Sequence, residues 1–173
     1  MNFLNNKGAD SAGKLNLDKM IKRFHQSLDS LVGCKAPDFS AKTMDGKSLS
    51  MSQLKGKVIV MNFWFNTCEP CVAEIPALDS LVASYSDTNV VFMAFSRDYA
   101  IAVNKFLEYH KFNYKMVSGE YDVHAKYCPP AGYPTNMVID KKGILRLILC
   151  ASVTAERANT KMKPTIDKCL EEK

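Results

Sequence analysis

The amino-acid sequence predicts an α/β fold in which helices flank a central mixed β-sheet. Three observations support this: two continuous apolar runs rich in β-formers, a helical pattern between them, and a later pair of apolar runs joined by a short turn. Continuous apolar runs are typical of strands buried on both faces of a sheet. The strand–helix–strand order predicts a right-handed parallel crossover, and the later pair predicts an antiparallel hairpin.

The apolar runs and turns give the order of these elements. Val58–Phe65 and Val90–Phe95 predict the two buried strands, and apolar residues at helical spacing follow each run. Asn136–Ile139 and Ile144–Leu149 flank the turn sequence Asp140–Gly143 and predict the terminal hairpin. A helix-compatible segment completes the chain.

The region before the first buried strand divides into two parts. Residues 33–57 contain turns and short strands, and Asp45-Gly46 predicts a hairpin because glycine tolerates the positive φ of such turns. Residues 1–32 are predicted to be a separate leader and an amphipathic helix, and residues 33–173 form the main domain. The apolar positions of that helix are Leu17, Met20, Ile21, Phe24, Leu28 and Leu31.

Composition favours a globular protein and argues against a nucleic-acid partner. Of the 173 residues, 47% are hydrophobic and 24% are charged, as in ordinary packed domains. The net charge of +5 is spread along the chain without a dense basic block, so we expect no nucleic-acid partner. We expect a monomer. The N-terminus lacks the apolar region of a secretory signal, which indicates either a cytoplasmic protein or a chain from which a signal was removed.

Six cysteines are present, and Cys68 and Cys71 alone have a spacing that indicates chemistry. This pair lies where a predicted buried strand ends and a helix begins. Unpaired backbone N–H groups and the helix dipole favour an anion there, which lowers the pKa of a thiol. We therefore expect Cys68 to be the exposed nucleophile and Cys71, one turn deeper, to resolve a mixed disulfide.

A Cys-x-x-Cys pair is also half of many zinc sites. A four-cysteine site needs a second close pair, which the sequence lacks, and we expect no metal. His124 and Cys128 leave a mixed zinc site open as an alternative. For Cys128 we expect a buried or incidental thiol, with a regulatory thiol as the alternative. We interpret the other three as small apolar residues: Cys34, Cys150 and Cys169.

Three motifs occur in an order that resembles one protein family. They are GCKAPDFSAKTMDGKSLSMSQLKGK at 33–57, VIVMNFWFNTCEPCVAEIP at 58–76 and GYPTNMVIDKKG at 132–143. Together they resemble the TlpA/ResA-like branch of the thioredoxin superfamily. The resemblance implies a thioredoxin-like fold with an extra N-terminal hairpin and helix. It also implies a thiol–disulfide oxidoreductase whose only redox centre is its own cysteine pair.

The resemblance assigns roles to matching positions. Cys68 matches the attacking cysteine and Cys71 the resolving cysteine. Pro134 matches a proline with a cis peptide bond that faces the disulfide. Tyr133 and Thr135 flank it, and the Tyr133 backbone would pair with an extended substrate segment.

Four further positions near the cysteines are candidate site residues. Glu74 matches an acidic residue that would accept or relay the proton of Cys71, with a solvated helix glutamate as the alternative. Glu69 and Pro70 match the intervening pair that tunes redox balance in the family. Thr67 replaces a tryptophan that is common in relatives, and we expect it to cap the helix.

One site assignment remains open between two alternatives. Trp64, the only tryptophan, either lines the site and contacts substrate or fills the core.

The resemblance also implies partners and a location. Substrates would be proteins with disulfides or paired thiols, and a membrane-bound or soluble thiol would supply electrons. The compartment would be the periplasm or another extracytoplasmic space, with the cytoplasm as the alternative.

Two other functions remain open from the sequence. The first is a peroxiredoxin-like thiol peroxidase, although the proline expected before its cysteine is missing. The second is a metal-binding or copper-delivery module on the same fold, although its cysteines would be spaced more widely.

Overall fold

The computed structural model describes residues 28–85, 89–127, 132–150 and 152–172. Most of the amphipathic helix expected before residue 32 lies outside these ranges, and so does Cys128. Within the described ranges, no helix combines the length and apolar character needed to cross a membrane.

A short antiparallel hairpin precedes the main sheet. Its strands are β1 (Ser40–Lys42) and β2 (Ser48–Ser50), which pair directly across the turn. Gly46 in this turn has a φ of 87°, a conformation that side chains with a Cβ rarely adopt. The hairpin expected at Asp45-Gly46 is therefore confirmed.

The main sheet is mixed and has the strand order β5-β4-β3-β6-β7. The central strand β3 (Val58–Trp64) pairs in parallel with β4 (Val90–Ser96). At the outer edge, β5 (Lys115–Ser118) runs parallel to β4. On the other side of β3, β6 (Thr135–Ile139) and β7 (Leu145–Cys150) complete the sheet as antiparallel strands. The predicted parallel pairing of the two buried strands and the terminal hairpin are both confirmed.

Helices connect the strands and cover both faces of the sheet. The C-terminal segment is helical from residue 155 to residue 171 and contains one π-helical turn, after which Pro164 lies in the first turn of the last helix. The helices are α1 (Glu69–Ala83), α2 (Ala100–Leu107), α3 (Tyr121–Tyr127), α4 (Ala155–Arg157), the π-turn (Ala158–Met162) and α5 (Lys163–Glu171).

Successive side chains of β3 enter two different cores. Val60 and Trp64 join the core beneath α1 and the C-terminal helices, whereas Met61 and Phe63 join the core beneath the hairpin and α3. This follows from the two-residue period of a strand. Because both faces are covered, all seven residues of β3 are buried, as the continuous apolar run predicted.

A buried carboxylate fixes the β6–β7 turn. Asp140 is only 2% exposed and accepts hydrogen bonds from the backbone N–H groups of Lys142 (2.8 Å) and Ile144 (2.9 Å). The guanidinium of Arg146 donates to the same carboxylate at 2.6 Å and also reaches Glu172 at 2.9 Å. These bonds hold the pKa of Asp140 below its ordinary value despite burial. The turn is thereby tied to the C-terminal helix.

We expect Asp140→Ala to destabilise the protein by about 2 kcal/mol, because two backbone N–H groups and a guanidinium lose their buried acceptor. Urea unfolding at neutral pH measures this change. Glu108→Ala, at an exposed acidic position, is the control and should stay within about 0.5 kcal/mol of the parent. Equal unfolding midpoints for the Asp140 variant and the parent would contradict the assigned role.

Candidate active site

The end of β3 and the start of α1 place the two cysteines together. Cys68 is the N-cap of α1, Cys71 lies in its first turn, and a disulfide bond joins them. Pro70 also lies in the first turn, where its missing N–H costs no hydrogen bond. Cys68 is 5% exposed and Cys71 is 1% exposed. Cys68 is thus the more accessible of the two residues, but the expectation of an exposed Cys68 is wrong for the oxidised form, in which it belongs to a buried apolar cluster.

Thr67 does not cap the helix. The helix begins at Glu69, so Cys68 occupies the N-cap position, and no side chain there accepts a capping hydrogen bond. Thr67 is exposed one residue earlier. The expected cap is therefore wrong, because the helix starts one residue later than such a cap requires. Glu69 is exposed in the first helical turn, where its charge interacts favourably with the helix dipole.

Trp64 fills the core beneath the disulfide. It is fully buried, and its indole packs on the rings of Phe106 and Phe112 with centroid distances of 5.1 and 5.6 Å. It belongs to the same apolar cluster as both cysteines. Of the two alternatives from the sequence, the structure favours core packing, since a fully buried ring offers no surface to a substrate.

The loop before β6 contains the expected cis bond between Tyr133 and Pro134. The Thr135 hydroxyl donates to the Gly132 carbonyl at 2.8 Å, and its side chain is fully buried. Thr135 therefore holds the loop by its side chain and presents none of that side chain to a substrate. The adjacent free thiol of Cys150 lies 3.8 Å from the Thr135 hydroxyl.

Tyr133 connects this loop to His124, which the sequence suggested only as a zinc ligand, and to Phe65, which the sequence did not single out. Its hydroxyl forms a 2.9 Å hydrogen bond with Nδ1 of His124, which is buried in α3. Its ring lies edge-on against Phe65 at a centroid distance of 5.2 Å. Phe65 is the residue directly after β3, so the loop and the cysteine-bearing segment are in contact.

Glu74 lies one helical turn beyond Cys71 and is 1% exposed. Its Oε1 accepts hydrogen bonds from the side-chain amides of Asn62 (2.6 Å) and Asn136 (3.2 Å). Its Oε2 accepts from the Asn136 amide (3.1 Å) and the backbone N–H of Val153 (2.7 Å). The alternative of a solvated helix glutamate is therefore wrong. The carboxyl group sits in a closed polar network inside the core.

The two asparagines come from neighbouring strands. Asn62 on β3 pairs directly with Asn136 on β6, and its amide also donates to the Asn136 carbonyl oxygen at 3.0 Å. The period of two places both side chains on the sheet face that α1 covers. In the sequence, the only signal that could have revealed these two residues was an asparagine inside each apolar run, VIVMNFW and TNMVI.

Two opposing effects set the acidity of Glu74. Burial raises the pKa of the carboxyl, whereas the hydrogen bonds from Val153, Asn136 and Asn62 and the charge of Arg157 lower it. The net result is a pKa raised from 4.5 to about 7. Burial is the larger effect. Glu74 therefore changes its protonation state near neutral pH, within the range in which thiols exchange.

The remaining described cysteines differ from one another. Cys169 is 2% exposed, and burial raises the pKa of its thiol to about 11, as expected of a small apolar residue. Cys150 is half-buried. Cys34 is exposed, which does not support its interpretation as a small apolar residue. Among the residues the structure describes, no group of three or more His, Cys, Asp or Glu side chains is close enough to hold a metal ion.

Comparisons with known proteins agree with this geometry. Residues 32–148 match the model of the AhpC/TSA family. The chain is also 31% identical over 133 residues to the thioredoxin-like protein YneN of Bacillus subtilis, which covers 75% of this chain and 78% of that protein. The chain belongs to the AhpC/TSA family.

Two further similarities concern fold and chemistry. The thiol-disulfide oxidoreductase ResA of Bacillus thuringiensis is 32% identical over 115 residues, and the match spans 65% of each protein. A solution structure from Bacteroides thetaiotaomicron, provisionally named a protein disulfide isomerase, superposes with a TM-score of 0.72 at 26% identity. It covers 82% of this chain and 91% of that chain. With the Cys68–Cys71 disulfide, these similarities identify a thioredoxin-like thiol–disulfide oxidoreductase, as the sequence resemblance implied.

We expect the stability of the oxidised protein to fall as the pH rises from about 4.5 to about 7. A carboxyl with a raised pKa in the folded state stabilises the fold fully only below its unfolded pKa, and this contribution is lost as the pH rises through the folded value. The total change is on the order of 3 kcal/mol. Urea unfolding across this range measures it.

Glu74→Gln should remove most of this pH dependence, because an amide does not titrate. Glu69→Gln is the matched control at an exposed position of the same helix, and it should keep the parent profile. If the parent and Glu74→Gln responded identically to pH, the buried carboxyl would not be the source.

Proposed function

We propose that this protein reduces or exchanges disulfides of extracytoplasmic proteins through the Cys68–Cys71 dithiol. One observation carries the proposal: the disulfide lies at the N-terminus of α1, one turn before a buried carboxyl that titrates near neutral pH. The first feature favours a thiolate, and the second provides a group that takes up and releases a proton.

The reaction begins with the reduced protein. The Cys68 thiolate attacks one sulfur of the substrate disulfide, that bond breaks, and the second substrate sulfur leaves as a thiolate that takes a proton from solvent. A mixed disulfide now joins Cys68 to the substrate. The N-terminus of α1 favours this step because its free N–H groups stabilise the negative charge of the attacking sulfur.

Cys71 completes the exchange. Its thiol passes its proton to the Glu74 carboxylate, and the resulting thiolate attacks the Cys68 sulfur and breaks the mixed disulfide. The substrate sulfur that was bonded to Cys68 leaves as a thiolate that is protonated in turn. Two electrons have then passed from the dithiol to the substrate, which carries two thiols, and Glu74 returns its proton to solvent. Its pKa of about 7 supports transfer in both directions.

The cis-proline loop is the proposed docking edge for the substrate backbone. Tyr133 is half-buried and Pro134 is buried, and the side chain of Thr135 fixes the loop from below. The Tyr133 backbone would pair with an extended segment that carries the reactive cysteine, as in strand addition. Because its side chain contacts His124 and Phe65, Tyr133 is held in position before the substrate binds.

The proposed setting is an oxidising compartment such as the periplasm. Protein disulfides accumulate there, and a dithiol that reduces them needs its own supply of electrons. A membrane-bound or soluble thiol would reduce the Cys68–Cys71 disulfide after each cycle. We propose that the protein acts as a monomer and without nucleic acid.

We expect Cys68→Ser to abolish reduction of protein disulfides, because the attacking sulfur is lost. Cys71→Ser should instead accumulate a mixed disulfide between Cys68 and the substrate, visible as a mass increase under non-reducing conditions. Cys34→Ser, at an exposed free cysteine, is the control and should keep full activity. Undiminished turnover by Cys68→Ser would exclude the proposed mechanism.

The reduction potential of the pair decides the direction of electron flow. For a reductant we expect a value near or below about −250 mV, measured by equilibration with glutathione and trapping of free thiols. A value of about −120 to −180 mV would contradict the reductive role and indicate an oxidase or isomerase. Failure to titrate reversibly would exclude the redox function and favour the metal-binding alternative.

A further inference from the structure

A groove of about 390 Å³ lies at the carboxyl ends of the three parallel strands. Phe65 follows β3, Arg97 to Tyr99 follow β4, and Tyr121 lies shortly after β5, and all of them line the groove. In open α/β sheets, ligands bind preferentially outside the carboxyl ends of parallel strands. The position of the groove is therefore the one expected of a binding site.

The groove exposes large aromatic side chains to solvent. Tyr99 is 71% exposed and Tyr121 is 47% exposed, and Ile101, next to the groove in the chain, is 86% exposed. Within the described ranges these are three of six exposed large hydrophobic residues. The other three are Leu31, Val32 and Tyr109. Exposed apolar side chains that gather at one place indicate an interaction surface.

Ring contacts connect this groove to the redox centre. Phe65 lines the groove and precedes Cys68 by three residues, and its ring lies against Tyr133 at 5.2 Å. Tyr133 directly precedes the cis-proline at which the substrate backbone is proposed to pair. A substrate segment paired with the Tyr133 backbone would therefore lie next to the groove.

Hydrogen bonds hold the walls of the groove in place. The Asn66 backbone N–H donates to the Asp98 carboxylate at 2.6 Å, and the Asn66 side chain donates to the Ala102 carbonyl at 2.9 Å. The rings of Tyr99 and Tyr121 meet edge-on at a centroid distance of 6.3 Å. A preformed groove loses little conformational entropy when it is filled.

We propose that this groove binds one bulky apolar side chain, preferably aromatic, of the extended substrate segment near its reactive cysteine. The inference rests on the proposed function and adds a substrate preference to it. The two charged residues of the groove, Arg97 and Asp98, have opposite signs, so neither sign of charge is favoured in an occupant. Tyrosine rings favour stacked or edge-on aromatic partners, and a guanidinium packs on aromatic faces.

The test uses synthetic peptides that each contain one intramolecular disulfide. One series carries a phenylalanine at each of several positions close to the reactive cysteine, and a matched series carries serine there. The pre-reduced protein is mixed with an excess of each peptide over a range of concentrations, and the release of peptide thiols is followed over a single turnover. Its saturation gives kcat (the maximal single-turnover rate), KM (the half-saturating peptide concentration) and kcat/KM. We expect the parent to prefer the best phenylalanine peptide over its serine match by about fivefold or more.

The double variant Tyr99→Ser/Tyr121→Ser should lose this preference, and the loss should appear in KM. Tyr109→Ser, an exposed tyrosine beyond the far end of α2, is the matched control and should keep it. The inference is overturned if the parent shows no preference or if the double variant retains it. If the parent reduces none of the peptides, the proposed function fails instead, so the two failures are distinguishable.

Discussion

The burial of β3 on both faces is the constraint on which the rest of the molecule depends. Because β4 and β6 pair with its two edges and helices cover its two faces, this strand has a single position in the fold. Its end therefore fixes where α1 begins and where Cys68 is placed. A strand with one solvated face would alternate polar and apolar residues and would allow more than one register.

Within this apolar surrounding, Glu74 is a buried carboxyl one helical turn beyond Cys71. Burial opposes its charge, and four hydrogen bonds from two strands and the C-terminal segment support it. The balance leaves its pKa near 7. A carboxyl with more hydrogen bonds or more water would remain charged throughout, and one with fewer would remain neutral; neither would exchange a proton at neutral pH.

The proposed catalytic groups and the proposed substrate groove lie at the same end of the sheet but are formed by different residues. The disulfide and Glu74 belong to the junction between β3 and α1, whereas the aromatic groove is built from residues that follow β3, β4 and β5. Phe65 belongs to both regions because it packs on Tyr133 and lines the groove. This separation allows substrate preference to change without altering the cysteine environment.

The sequence by itself determined the order of the main elements other than β5 and α3, the strand–helix junction that holds Cys68 and Cys71, and, by resemblance, the cis bond at Pro134. These features depend on local periodicity, spacing and a matched motif, all of which are properties of nearby residues. Even so, the exact first residue of α1 was not determined, and the cap expected at Thr67 was consequently wrong.

The tertiary structure alone decided which distant residues complete the site. Asn136 reaches Glu74 from 62 residues away because β6 is the neighbour of β3, and Tyr121 meets Tyr99 because β5 is the neighbour of β4. Tertiary packing likewise decided that Trp64 is buried and that Cys34 is exposed. A one-dimensional pattern shows that a side chain has a buried face, but only the pairing of strands and the packing of helices determine what that face meets.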